Sequence, residues 1–189
     1  MRFRRARLTA PKQGTGLQHY NTKDPGERLS LIAPGLKVRG RLIVEESTIE
    51  GGLAFPGATI DGRVLIDGHI INPENLALDL SYSDLGASLD VVNKSTIKGT
   101  VKLGGIRVAG DIDFADANLS APQRGYAGVR DCVYGAGARI AGDVRFARST
   151  VTNGAINFRG SEIAGDMDAN GATFINHGDR TVNLHYTVF

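Results

Sequence analysis

One eleven-residue phrase recurs along most of this 189-residue chain and restricts the folds open to it. Its clearest pair is Ile97-Lys-Gly99-Thr-Val101-Lys-Leu103 and Val108-Ala-Gly110-Asp-Ile112-Asp-Phe114. An apolar residue is followed by Gly at +2 and by apolar residues at +4 and +6. Other copies open at Val38, Ile49, Ile60, Ile140 and Ile163, and one at Leu85 has its Gly displaced by one position. A weaker unit lies around Ile71, is interrupted by Asn72-Pro-Glu-Asn75 and resumes at Leu78. The unit at Leu119 is split by Ser120 to Gly128, the one at Val151 carries Asn153 at +2, and Phe174 opens an incomplete copy ending in Val182-Asn-Leu184.

A fixed internal period points to a solenoid. Apolar positions at +4 and +6 bracket one polar residue, the pattern of a three-residue strand with one face buried. Gly at +2 is read as the positive-φ residue of a tight corner, with Asn153 as its best substitute. Small residues stand two positions before most openings (Ser47, Ala58, Ser95, Ala117, Ala138, Ser149, Ser161, Ala172) and let an inner corner close. The expected fold is all-β: a right-handed parallel β-helix of about six coils, with rungs about 4.8 Å apart. Units alternate in two series, opening at 38, 60, 85, 108, 140, 163 and at 49, 71, 97, 119, 151, 174. Two units then make one coil. The insertions at 72–76, 120–128 and 175–181 all fall in the second series, so they should emerge along one edge, two rungs apart.

Residues 1–35 lack the phrase and are punctuated by Pro11, Gly14, Gly16, Pro25, Gly26 and Pro34. They read as a basic, partly disordered N-terminal tail and cap, with the β-helix over 36–189. Arg2, Arg4, Arg5, Arg7 and Lys12 give this arm five positive charges, and the remaining 17 basic against 20 acidic residues leave a body at −3. Such an arm could touch nucleic acid or anionic lipid, but Phe3 alone interleaves an aromatic ring among its charges. No apolar run approaches the roughly 20 residues of a membrane span, and no h-region follows the basic start, so a cytoplasmic location is the default. The single cysteine, Cys132, excludes an internal disulfide and a cysteine-built metal site, and reads as a buried structural thiol.

The small–x–apolar step, best seen in Phe114-Ala-Asp-Ala117-Asn-Leu119, resembles pentapeptide-repeat β-solenoids. The longer phrases Gly137-Ala-Arg-Ile-Ala-Gly-Asp-Val-Arg-Phe146 and Gly171-Ala-Thr-Phe174 are similar to degenerate repeats of this kind in bacterial proteins. Chain length, tail and the I-x-G steps also resemble bactofilins, β-helices that polymerise end to end. These resemblances imply a β-solenoid scaffold. The pentapeptide-repeat likeness further implies an alternative, a DNA mimic that modulates a topoisomerase, for which a body at −3 is weakly acidic.

Stacking of the first series would align Asp111, Asp143 and Asp166 in one column, with Asp90, Asp113 and Asp168 in the next, interrupted by Arg145. Arg41, Arg63 and Ser88 are the N-terminal equivalents. Such acid columns could serve a carbohydrate-active β-helix enzyme, or stand as a solvated face relieved by Arg145. His19, His69, His177 and His185 show no metal-ligand spacing, and neither G-x-S-x-G nor a P-loop occurs, so no catalytic residue, metal or cofactor is assigned. Loops projecting from a solenoid commonly bind, which makes Asn72, Glu74, Gln123, Arg124, Tyr126, His177 and Arg180 the candidate partner-binding residues. The apolar segment His185-Tyr-Thr-Val-Phe189 has no polar cap. Tyr186, Val188 and Phe189 are therefore the candidate self-association residues, for a dimer, an end-to-end polymer, or contact with more of a longer chain. The expected role is a non-enzymatic structural or protein-interaction scaffold that self-associates.

Overall fold

The computed structural model describes residues 1–9, 29–123, 130–176 and 180–189, and among these it contains strands and turns but no helix. The chain winds as a β-solenoid of four short faces, each inner strand pairing parallel to the strands one coil before and after it and each end strand to one neighbour. Alternating apolar and polar residues supply one inward and one outward side chain per step, as a pleated strand requires.

Register fixes the columns. On face 1, Arg2, Ile43, Leu65, Asp90, Asp113, Arg145 and Asp168 stack outward. On face 2, Leu8, Ile49, Ile70, Ile97, Leu119, Val151 and Phe174 stack inward. Face 3 stacks Leu31, Leu53, Leu78, Val101, Val133, Ile156 and Val182. Face 4 stacks Val38, Ile60, Leu85, Val108, Ile140 and Ile163, and Glu162 then bridges Val188. Each face thus carries seven rungs, which enclose six intervals, roughly 29 Å of solenoid.

The inward residues form one continuous core, with Ile49, Ile70, Ile97, Val101, Ile112 and Val144 fully buried. Phe114 and Phe146 stack one rung apart with centroids at 5.2 Å, and Phe174 meets Phe146 edge-on at 6.2 Å. Such pairs add about 1 kcal/mol beyond area burial.

Three sequence expectations take a different form. The spacing opens the second unit of the 60–80 coil on Ile71, but Ile70 is fully buried and pairs with Ile49 and Ile97. The insertion that begins at Asn72 obscures the register by one residue. The repeat begins by spacing at Val38, yet Arg2–Arg4, Arg7–Thr9 and Leu29–Ile32 already pair with the following coil. Residues 10–28 of the expected tail lie outside the described residues. Finally, the glycines at +2 serve two purposes. Gly99 has φ 117°, and Asn153 at the same corner has φ 63°, as expected for a left-handed corner. Gly142 and Gly165 have no such φ. A Cβ on Gly142 would stand 2.9 Å from the Gly110 carbonyl carbon and collide with the Asp111 carboxylate, so glycine is needed there for close approach between rungs.

Candidate functional site

Three zones of the solenoid hold the residues that the sequence singles out. The first is the corner between faces 4 and 1, where the aspartate columns form as the period requires. The backbone N–H of Asp143 donates to Asp111 Oδ1 at 2.9 Å, and that of Asp166 donates to Asp143 Oδ1 at 2.9 Å. One rung higher, the N–H of Asp111 donates to Ser88 Oγ at 3.0 Å, so the column joins successive coils through side-chain acceptors. The other Asp111 oxygen meets Arg145 at 2.7 Å, Asp113 lies 3.9 Å from the same guanidinium, and Asp143 also pairs with it. The Asp166 amide and then Arg145 hold the Asp143 carboxyl below its ordinary range. Burial pushes Asp90 upward against the opposing pull of Arg63 at 3.3 Å. Asp111 and Asp143 are thus engaged on both oxygens, a structural use of carboxylates that a free acid–base pair would not have.

The second zone is the corner between faces 2 and 3. Insertions leave it between Ile71 and Leu76, between Ser120 and Asp131, and between Ile175 and Val182, on alternating rungs. The chain from Thr9 to Leu29 departs from the same corner two rungs earlier and is a fourth member that the period does not reveal. On the rungs between, Gly51, Gly99 and Asn153-Gly154 make the turn tight.

The loops touch. The Gln123 N–H donates to the Pro73 carbonyl at 2.7 Å, across the intervening rung. A Cβ on Gly99 would lie 2.5 Å from Asn72 O and 2.7 Å from Asn75 O, so glycine makes room for the loop that overhangs it. Asn72 is buried, and its side-chain amide donates to Leu76 O at 2.7 Å. It shapes the loop and does not face outward. Glu74 is half-buried, while Gln123 and Arg180 are exposed. Asn176 closes the last loop by donating to the Arg180 carbonyl. Arg124, Tyr126 and His177 lie outside the described residues.

Asp131 stands where the chain from Ser120 rejoins face 3, 5% exposed, with its carboxylate accepting from Asn157 at 3.2 Å. Burial pushes its carboxyl upward. Cys132 follows it, fully enclosed, and desolvation raises its thiol to about 12. That is an inert thiol at neutral pH. His69 and His185 are exposed, the latter against Tyr186 with ring centroids 3.8 Å apart, and His19 lies outside the described residues.

The third zone is the pair of end rungs. Arg2, Arg5 and Arg7 pair with Glu45, Glu46 and Glu50 of the next coil, and Arg4 lies 3.7 Å from Glu45. Most of the basic arm therefore faces a glutamate row, while Lys12 is outside the described residues. At the other end Tyr186 is 73% exposed, Val188 63% and Phe189 61%. Phe3, Leu8 and Leu31 on the first rung, and Met167, Phe174 and Leu184 on the last, are only partly buried against the core.

This geometry defines the chain as a β-solenoid. Comparison with family models, with curated proteins and with solved structures finds no match.

Proposed function

We propose that the protein is a non-enzymatic scaffold that self-associates through its end rungs and presents the loop-bearing corner to a protein partner. The observation that carries this reading is the state of the ends. Inner rungs bury their inward side chains completely, whereas Phe3, Leu8, Met167, Phe174 and Leu184 remain half-covered, and their strands pair on one side. An open strand edge beside apolar surface is a template for pairing. The use of Asp111, Asp143 and Arg145 to tie coils together supports a mechanical role for the polar columns over a chemical one.

The test is sedimentation of the full chain over a wide concentration range, beside the triple variant Tyr186→Ser/Val188→Ser/Phe189→Ser. The full chain should grow with concentration, and the variant should stay monomeric. One monomeric species for the full chain at every concentration would reject self-association. For the corner, Gln123→Ala/Arg180→Ala should weaken capture of a partner isolated with the wild-type protein, and unchanged capture would reject that part.

A further inference from the structure

The segment Asp166-Met167-Asp168 on the last rung repeats a device that is occupied elsewhere in the same chain. Asp111-Ile112-Asp113 sits one rung above Arg145 on face 1, and both of its carboxylates reach that guanidinium, at 2.7 and 3.9 Å. Asp166 and Asp168 hold the same two positions two rungs further on, below Asp143 and Arg145. Among the described residues no cation lies within ion-pair distance of either. The face-1 column begins with Arg2, in register with Ile43, so Arg2 heads the column that Asp168 closes.

We infer that the protein assembles head to tail, Asp166 and Asp168 of one copy clasping Arg2 of the next as Asp111 and Asp113 clasp Arg145. The inference rests on the self-association proposed above and specifies its polarity and register.

Two further relationships agree with it. Arg2 opens on face 1 and Val188 stands on face 4, the face that immediately precedes face 1 along the winding. With seven rungs on every face, the step in the spiral falls at the same corner at both ends. A second copy set in this register extends the face-1 ladder from Asp168 to Arg2. In that register Phe3 of the second copy enters the inward column of Phe114, Phe146 and Ala169, beside the Phe174 ring that meets Phe146 edge-on. Opposite charges one rung apart are also this chain's own habit: Asp84 with Arg107 at 3.2 Å, Arg139 with Glu162 at 3.3 Å, and Asp116 with Arg148 at 2.7 Å. A head-to-head contact would instead oppose the arginines of two first rungs, which costs affinity.

The experiment is a charge exchange on the full chain. Arg2→Glu makes the head of the face-1 column acidic like its tail, and Asp166→Arg/Asp168→Arg makes its tail basic like its head, so each variant alone should remain monomeric where wild type assembles. Mixed in equal amounts, each acidic end meets a basic one, and wild-type-sized particles containing both variants in a 1:1 ratio should return. Because Arg2→Glu also faces Glu45, Arg2→Gln serves as a second variant and should raise the concentration for half-assembly about tenfold. Assembly of either charge variant alone at wild-type concentrations would overturn the inference, as would wild-type behaviour of Arg2→Gln. No recovery on mixing, with melting curves showing both variants folded, would overturn the head-to-tail register while leaving self-association standing. Wild type that stays monomeric would reject both.

Discussion

Asp143 accepts the backbone N–H of Asp166 at 2.9 Å from one rung below, and its other oxygen meets Arg145 on its own rung. These contacts hold the folded-state carboxyl below its ordinary value. Its stabilisation is therefore present above the unfolded-state value of roughly 4 and is lost as pH falls through the lower folded value. Asp116, beside Arg148, and Glu46, beside Arg5, are shifted the same way. The melting temperature should accordingly drop on acidification below about pH 4. Asp143→Asn keeps an oxygen acceptor for the Asp166 amide but cannot titrate, so its drop should be shallower. Asp143→Ala should melt lower at every pH. Thermal melts between roughly pH 2 and 7 check the order.

Asp131 should behave in the opposite sense. Burial raises its folded-state carboxyl, so the ionised form is penalised in the fold above that raised value and the penalty is relieved as pH falls. Asp131→Asn should therefore melt higher than wild type at pH 7–8, and the difference should shrink toward pH 4. An equal difference at both ends of the range would show that titration of Asp131 is not its cause.

The two opposite aspartate shifts show where sequence is informative. The columns that contain Asp111, Asp143 and Asp166 follow from the period alone, because stacking in a solenoid turns equal position in the phrase into adjacency in space. The inward rows and the common corner of the loops follow for the same reason. Asp131 is different: it lies just after an insertion, where the period is interrupted and burial cannot be counted. The same interruption hides Ile70 behind Ile71. The first rung is hidden because Arg2-Phe-Arg4 and Arg7-Leu-Thr9 each show a single apolar residue, too short for a pattern, and their arginines resemble a solvated arm. Nor can spacing say why a glycine is needed. Gly99 and Gly142 occupy the same place in the phrase, but Gly99 combines a positive φ with room for the overhanging loop, whereas Gly142 has no such φ and serves only close approach to the coil above it.

Corner serines provide a paired prediction. Ser95 Oγ accepts the Gly68 N–H at 2.9 Å and lies 3.2 Å from the Ile66 carbonyl, binding one coil to the previous one. Ser149 occupies the corresponding corner two coils later, equally buried, yet among the described residues its hydroxyl has no hydrogen-bond partner. Removing the Ser95 hydroxyl strips the Gly68 N–H of its acceptor, while the Ile66 carbonyl keeps the Val92 N–H, and an unsatisfied donor of this kind costs about 1–3 kcal/mol. Ser95→Ala should therefore destabilise by about that amount. Ser149→Ala removes an orphaned polar atom and should be neutral or stabilising by up to about 1 kcal/mol. Denaturant unfolding of the two single variants tests the contrast, and equal losses would contradict it.

The glycine at 142 allows close approach to be separated from backbone preference. A methyl group there would strike the Asp111 carboxylate and stand 2.9 Å from the Gly110 carbonyl carbon. Forcing extra volume into such a contact costs about 1–3 kcal/mol, so Gly142→Ala should destabilise within that range. Asp111→Ala loses the acceptor for the Asp143 amide and the partner of Arg145, and is destabilising by itself. In the double variant the shortened side chain no longer opposes the new methyl group, although the Gly110 backbone still does. The combined loss should therefore be smaller than the two single losses added, with a coupling of about 0.5 kcal/mol or more. If glycine were required at 142 for its φ, the strain would be indifferent to Asp111 and the losses would add. Unfolding free energies of the two single variants and the double variant decide between these causes, and the same cycle at Gly165 with Asp143 should give the same sign.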